Sequence, residues 1–343
     1  MDPIETSNLI EQLRLRRLSA YDASPGDIRE HYGIEETVLA GGYGYRQILE
    51  LVQNGADAIL EGQSVVGPGA PTYCQIEVRL TADYLYVANT GAPVSADGVG
   101  SLLSSHSSSK RGTQIGRFGL GFKSLLRLWG RIDIFSASNS FRFDPQRCRE
   151  ELINRYNVVN APGLRLAWPL DRQYEASQDS TLTEMSWATT IVRAYVGSAE
   201  LRDHLRLEID AFPCEFLLFF PMPVTVVLKT GVGSARRVRR DSDGPDTILR
   251  DGNAASRWRV SEIVVPITDE SAKRDATHIH ARDTVPIAWA LPLDARREEA
   301  GRFWAFFPTQ TPTRLPGILN APWKLNSDRN SIIAGDWNAN LMR

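Results

Sequence analysis

Residues 45–61 are the stretch that most narrows what this chain can fold into. Glu50-Leu-Val-Gln-Asn54-Gly-Ala-Asp57 places three polar groups at i, i+4 and i+7. At about 100° per residue they fall within roughly 60° of one another on a helix, while Ile48, Leu49, Val52 and Ile59 lie on the opposite face. Such a helix must bury one side against other structure and keep a carboxylate, a carboxamide and a second carboxylate together on the other. The same spacing also describes an ordinary surface helix with its wet side out, so the rest of the chain has to decide.

A chain of 343 residues, at roughly 100–200 per domain, divides into two or three domains with ample core. Its 39 basic and 41 acidic residues leave a net charge of −2, so no global field draws it to nucleic acid or anionic lipid. Hydrophobic content of 42% and charged content of 23% match ordinary globular usage and predict a folded chain. Cys74, Cys148 and Cys214 are far apart and lack metal-ligand spacing, which argues against a disulfide framework and a structural zinc. The start, Met1-Asp-Pro-Ile-Glu-Thr, has no export signal and no long apolar run follows, so a soluble cytoplasmic protein without a membrane partner is expected.

Leu9, Leu13 and Leu18 mark a first helix, and Ser24-Pro25-Gly26-Asp27 predicts the capped start of a second. Gly41-Gly42-Tyr43-Gly44 then breaks the chain before the helix at 45–61. Strands are predicted at Cys74–Leu80, Tyr84–Ala88, Arg131–Ser136, Phe141–Phe143, Leu164–Trp168 and Thr190–Tyr195. The serine-rich segment at about 95–115 reads as a mobile loop. After residue 211 the texture changes to Phe216-Leu-Leu-Phe-Phe-Pro-Met-Pro and strands at Val224–Lys229, Trp258–Pro266, Val285–Leu293 and Phe303–Pro308. The expected organisation is a helical segment over 1–40, an α/β domain over 41–210 and a second α+β domain over 211–343. Arg236, Arg237, Arg239 and Arg240 form the only dense basic run of that second domain, and a solvated hairpin tip beside Asp241 and Asp243 explains it more simply than a nucleic-acid contact.

Two further motifs accompany the helix. The strand at 84–88 runs into Asn89-Thr90-Gly91-Ala92-Pro93, which alone is only a turn signal. Gly116-Arg-Phe-Gly119-Leu-Gly121-Phe-Lys-Ser124 precedes a helix-like stretch, so its backbone N–H groups can approach an anion closely. It is neither a dinucleotide fingerprint, whose glycine order it reverses, nor a Walker loop, because Phe122 separates Gly121 from Lys123.

In this order and at these separations, the three motifs resemble the GHKL ATPases: the ninety-kilodalton heat-shock chaperone, gyrase, MutL and the sensor histidine kinases. The resemblance spans about residues 40–195. Phe306-Phe-Pro-Thr and Leu315-Pro-Gly-Ile-Leu-Asn-Ala-Pro-Trp-Lys-Leu-Asn-Ser-Asp-Arg329 are similar to the sacsin-type branch. The resemblance implies an α+β chain: a Bergerat-type two-layer α/β sandwich, then a middle or transducer-like domain. It implies Glu50 as the general base on water, Asn54 as the Mg²⁺ ligand and Asp57 as the third position of the helix motif. Asn89 stands where the superfamily usually has an adenine-reading Asp, Gly91 matches the next glycine, and Pro93 replaces the one after. Thr189 matches a threonine supporting the adenine pocket, Ser101–Gly112 corresponds to an ATP lid with Lys110 in reach of phosphate, and Gly116, Gly119 and Gly121 cradle phosphates. Arg329, in Asn326-Ser-Asp-Arg329, corresponds to a second-domain arginine that reaches the γ-phosphate.

The function so implied is Mg²⁺-dependent ATP hydrolysis that drives domain closure or an ATP-dependent homodimer. The chain would be the N-terminal module of a larger chaperone-like or defence-related protein with a protein client. A nucleotide-binding switch with negligible turnover stays open beside it, as does a nucleic-acid-linked ATPase resting on the arginine run and on Arg14, Arg16 and Arg17. A histidine kinase is disfavoured, since only His31 precedes Glu50.

Overall fold

The computed structural model describes residues 3–40, 47–65, 73–103, 125, 127–128, 130–136, 139–231, 233–280, 282–294, 300–326 and 329–343. The chain mixes helices with antiparallel-rich sheet, an α+β composition, and separates into two compact units. The first holds Met1–Gly41, Tyr45–Asp210 and Leu228–Ser234; the second holds Gly42–Gly44, Ala211–Val227 and Ala235–Arg343.

In the first unit the elements run α1 (Pro3–Ala23), α2 (Gly26–Ala40), α3 (Gln47–Val65), β1 (Gln75–Leu80), β2 (Tyr84–Asn89), α4 (Ala96–Leu103), β3 (Ile132–Ser136) and β4 (Phe141–Phe143). They continue as α5 (Pro145–Tyr156), β5 (Trp168–Pro169), α6 (Arg172–Gln178), α7 (Ser180–Glu184), β6 (Thr190–Tyr195) and α8 (Ala199–Asp210). Between α1 and α2 the Ser24 hydroxyl donates to the Asp27 carboxylate at 2.7 Å, and the Asp27 N–H donates to the Ser24 carbonyl at 3.1 Å. The strands pair antiparallel in the order β1-β2-β6-β3-β4-β5, so β6, late in the chain, is inserted between β2 and β3.

Period-two alternation divides this sheet into two buried faces. Val78, Leu85, Val87, Ala194 and Ile134 share the face that meets α3. Tyr86, Ala88, Phe135 and Ile191 point the other way, against Leu182, Met185 and Ala188. The α6–α7 segment therefore adds a third layer to the two that were expected. Arg193 is buried in that layer, its guanidinium 5.2 Å from the Tyr84 ring and 5.1 Å from the Phe135 ring. Burial opposes its charge, but Asp133 and Glu175, each at 2.5 Å, and Asp179 at 2.8 Å more than offset this and hold its pKa above the ordinary value.

Two expectations for this unit are corrected. Only Trp168 of the strand expected at Leu164–Trp168 pairs as one; the Glu35 carboxylate takes the N–H groups of Gly163 at 2.6 Å and Leu164 at 3.1 Å, which a sheet neighbour would need. The start of the expected loop at 95–115 is the helix α4, with Val99 and Leu103 buried and the Ser95 hydroxyl accepting the Gly98 N–H at 3.1 Å. The Leu103 carbonyl at its end accepts from Arg17 at 3.3 Å and from Arg165 at 3.2 Å. The remainder of that segment lies outside the described residues.

After a 3₁₀ turn at Cys214–Phe219 come β7 (Thr225–Thr230), β8 (Arg236–Asp243), β9 (Asp246–Asp251), β10 (Ala254–Pro266), α9 (Glu270–His280) and β11 (Thr284–Pro292). The second unit ends with β12 (Gly301–Ala305), β13 (Phe307–Thr313), β14 (Ile318–Asn320) and α10 (Asp336–Leu341). Its strand order is β13-β12-β14-β11-β10-β9-β8, with β12 and β14 parallel. The strand expected at Phe303–Pro308 is split at Phe306, whose backbone is left-handed at φ 69° and whose N–H donates to Asn320 Oδ1 at 2.7 Å. The arginine run lies along β8, while the hairpin tip is Asp243-Gly244-Pro245-Asp246. Arg236 pairs with Asp251 at 2.6 Å, Arg239 approaches Asp241 at 3.7 Å and Arg240 donates to the Leu218 carbonyl at 3.3 Å.

No helix among the described residues is long and apolar enough to cross a membrane. All three cysteines are buried and none is in a disulfide, and burial pushes the Cys148 and Cys214 thiols up to about 12, which leaves these two unreactive at neutral pH.

The second unit's core gathers Trp323, Trp337, Ile267, Val285 and Leu341. Asp275 of α9 ties it together: its carboxylate accepts from Lys324 at 2.6 Å and from the Trp337 N–H at 3.0 Å. The Lys324 bond, then the Trp337 N–H, hold that carboxyl below its ordinary pKa. A depressed folded-state pKa contributes stability above the unfolded-state value of about 4 and loses it as pH falls through the folded value. Asp275→Asn should therefore lower the thermal midpoint at pH 7 by about 2–5 °C. The gap between variant and parent should close as the pH falls below about 4, followed by tryptophan fluorescence.

Candidate functional site

The helix α3 owes its start to a residue far along the chain. The Ile48 N–H, one of the donors no helix can satisfy internally, donates to Glu208 Oε1 of α8 at 2.9 Å. The polar stripe that follows is not a wet surface: Glu50 and Asp57 are 5% and 2% exposed, and Asn54 is half-buried. Ile48, Val52 and Ile59 are buried as the apolar face requires. Contact with the sheet at Gly55 and with the turn after β2 at Ala58 and Gly62 runs along a different line of the helix, so the stripe flanks that contact.

The second motif closes against this line. Asn89 ends β2, and its Oδ1 accepts the Gly91 N–H at 2.9 Å, a local side-chain turn of the kind asparagine favours. The next N–H, of Ala92, donates to the Ala58 carbonyl of α3 at 2.7 Å. A Cβ on Gly91 would stand 2.3 Å from the Ala58 carbonyl carbon and 2.5 Å from the Ile59 nitrogen, so no side chain fits there. A Cβ on Gly55 would meet Asn89 Cβ at 3.4 Å and Nδ2 at 3.6 Å. Asn89 thus lies against the residue next to Asn54, and two motifs some thirty-five positions apart form one locality.

Along the face that meets α3, the row at the end of β2 is polar: Asn89 stands opposite Thr190 of β6, and Thr190 opposite Ser136 of β3. Ser136 Oγ accepts the Val94 N–H at 2.9 Å. Thr190 is buried and its hydroxyl has no hydrogen-bond partner among the described residues. Thr189, the residue expected here, is half-buried and donates its backbone N–H to the Asn89 carbonyl at 2.9 Å. Sequence reasoning missed Thr190 and Ser136. The alternation of Leu85, Val87 and Asn89 identifies the face, but the register that sets Thr190 against Asn89 is a long-range fact.

Lys110, Gly116, Gly119 and Gly121 lie outside the described residues. Arg329 belongs to the second unit, left-handed at φ 54°, with its N–H on the Asn326 carbonyl at 3.0 Å. Asn326 Oδ1 accepts from the N–H groups of Asn330 at 3.0 Å and Ser331 at 3.2 Å, which shapes this turn.

Among the described residues no three His, Cys, Asp or Glu side chains converge as a metal cage. The donors on α3 are all oxygen: the Asn54 carboxamide between two buried carboxylates. That set fits Mg²⁺, which keeps several waters and takes one or two protein oxygens. No protein-family model matches this chain, and no curated protein does so either.

Gly91→Ala should force the turn away from α3 and cost about 3 kcal/mol, seen as a fall of roughly 6–12 °C in the thermal midpoint. An unchanged midpoint would mean that the approach of turn and helix is not tight.

Proposed function

We propose that the first unit binds a Mg²⁺-complexed nucleoside triphosphate and hydrolyses its terminal phosphate, with ATP as the nucleotide that the GHKL resemblance implies. The observation that carries this reading is the packing of Asn89 against Gly55, which joins the Glu50-Asn54-Asp57 stripe to the Asn-x-Gly turn as a Bergerat-type site requires.

In this reading Asn54 holds the metal through its side-chain oxygen. The ion, when bound, neutralises phosphate charge and fixes the orientation of the triphosphate. Glu50 accepts the proton of a water that attacks the terminal phosphorus, and the diphosphate leaves with the bridging oxygen. Asp57 supports the same stripe from the next turn, and Asn89 faces the base. Lys110 and the glycines Gly116, Gly119 and Gly121 take phosphate contacts. The nucleotide cycle would drive closure or pairing of two copies, and the client is a protein.

Asn54→Ala should abolish Mg²⁺-supported nucleotide binding, and unchanged affinity for the Mg·ATP complex would defeat the assignment. Glu50→Gln should bind nearly normally and slow single-turnover phosphate release by roughly 10²–10⁴-fold. If the unaltered chain binds ATP and releases no phosphate in a single turnover, the site is a switch.

Arg329 enters as the residue that stabilises the transferring phosphoryl charge. Arg329→Ala should leave ADP affinity unchanged and slow hydrolysis by roughly 10³-fold, with Arg329→Lys rescuing poorly because an ammonium lacks the planar two-donor fork. Hydrolysis at the parent rate would make Arg329 an ordinary turn residue.

A further inference from the structure

The sheet face that meets α3 is apolar except at its end, where Asn89, Thr190 and Ser136 stand side by side on neighbouring strands. Ser136 is accounted for by the Val94 N–H. The other two have hydrogen-bonding capacity that no other described residue uses. Asn89 Oδ1 is occupied by the Gly91 N–H at 2.9 Å, and that donor fixes which amide atom is oxygen. Oδ1 keeps one lone pair, and beside it Asn89 offers a ligand the donor Nδ2, next to the bare backbone of Gly55. Thr190, 6% exposed, has a buried hydroxyl with no partner among the described residues. Side chains directly opposite on neighbouring strands are about 5 Å apart at Cβ, so both groups address one small area. An unpaired buried hydroxyl calls for a partner from outside the chain, either the ligand or a water held against it.

We infer that Asn89 and Thr190 together read the edge of a purine base, and that the pair suits a 6-oxopurine, of the inosine or guanosine type, at least as well as adenine. This rests on the nucleotide reading above. A 6-oxopurine presents a carbonyl acceptor at position 6, which the Asn89 amide N–H can satisfy. Adenine presents an amine there, and a donor would face a donor. The Thr190 hydroxyl can donate or accept, so it serves either base, and the choice falls to Asn89. A carboxylate at this position would do the opposite, since it only accepts.

The test compares Mg²⁺-supported binding of ATP and ITP, which differ at position 6 and its neighbouring N1, by calorimetry on the full chain. The unaltered protein should bind ITP at least as tightly as ATP. Asn89→Asp keeps an acceptor for the Gly91 N–H and should move the affinity ratio toward ATP by about 10–100-fold. Thr190→Val removes the unpaired hydroxyl at constant shape, so it should hold or raise the thermal midpoint while weakening both nucleotides by about 3–10-fold. Tighter binding of ATP than of ITP by the unaltered chain overturns the inference and leaves the nucleotide reading standing, as does a ratio that Asn89→Asp does not move. A Thr190→Val variant with a lower midpoint and unchanged affinities removes Thr190 from the pair. Binding of neither triphosphate overturns the nucleotide reading and this inference with it.

Discussion

The first unit depends on how closely the backbone of α3 approaches the turn that follows β2. The hydrogen bond from the Ala92 N–H to the Ala58 carbonyl, at 2.7 Å, is a bond between a loop and the flank of a helix. It is possible only because residue 91 has no side chain and because Gly55 and Gly62 thin the facing line of α3. Loosen that approach and the polar stripe of the helix separates from the polar end of the sheet. Each glycine is therefore placed by contact distance, and Gly91 is not left-handed.

Behind this contact stands a charged layer that the site never touches. Arg193 sits between aromatic rings with three carboxylates around it, and Arg142 joins from the neighbouring strand to Asp133 at 2.6 Å. Removing one member would leave buried charge without its counterpart, so the group holds or fails together. It fastens α6 and α7 to the sheet and fixes the strands β2, β6 and β3 from the back, which sets the floor under Asn89 and Thr190.

The sequence made the local features legible and the long-range ones not. The three-residue stripe of α3, the strands β1, β2, β4 and β6 and the Asn89 turn can all be read from spacing, because period and turn chemistry act within a few residues. The α6–α7 layer escaped because Arg172–Glu184 is short and polar, and its role comes from Arg193 and Asp133 elsewhere in the chain. α4 was masked by serines and glycines, although burial of Val99 and Leu103 decides its fold. The loss of most of the Leu164–Trp168 strand traces to Glu35, more than a hundred residues earlier. The pairing of Thr190 with Asn89 is not legible, because nothing in a single chain announces strand register.

The cap on α3 has a consequence in time. Ile48 and Glu208 are 160 positions apart, and β6, which separates β2 from β3, is also made late. At about 5–20 residues per second on the ribosome, the helix emerges roughly 10–30 s before its capping carboxylate exists. Until then Asn89 is paired only with Ile76 of β1, and β2 and β3 have no strand to join them. The locality that begins at Glu50 cannot mature from the N-terminus onward; it is completed in one late event, when β6 and α8 arrive together.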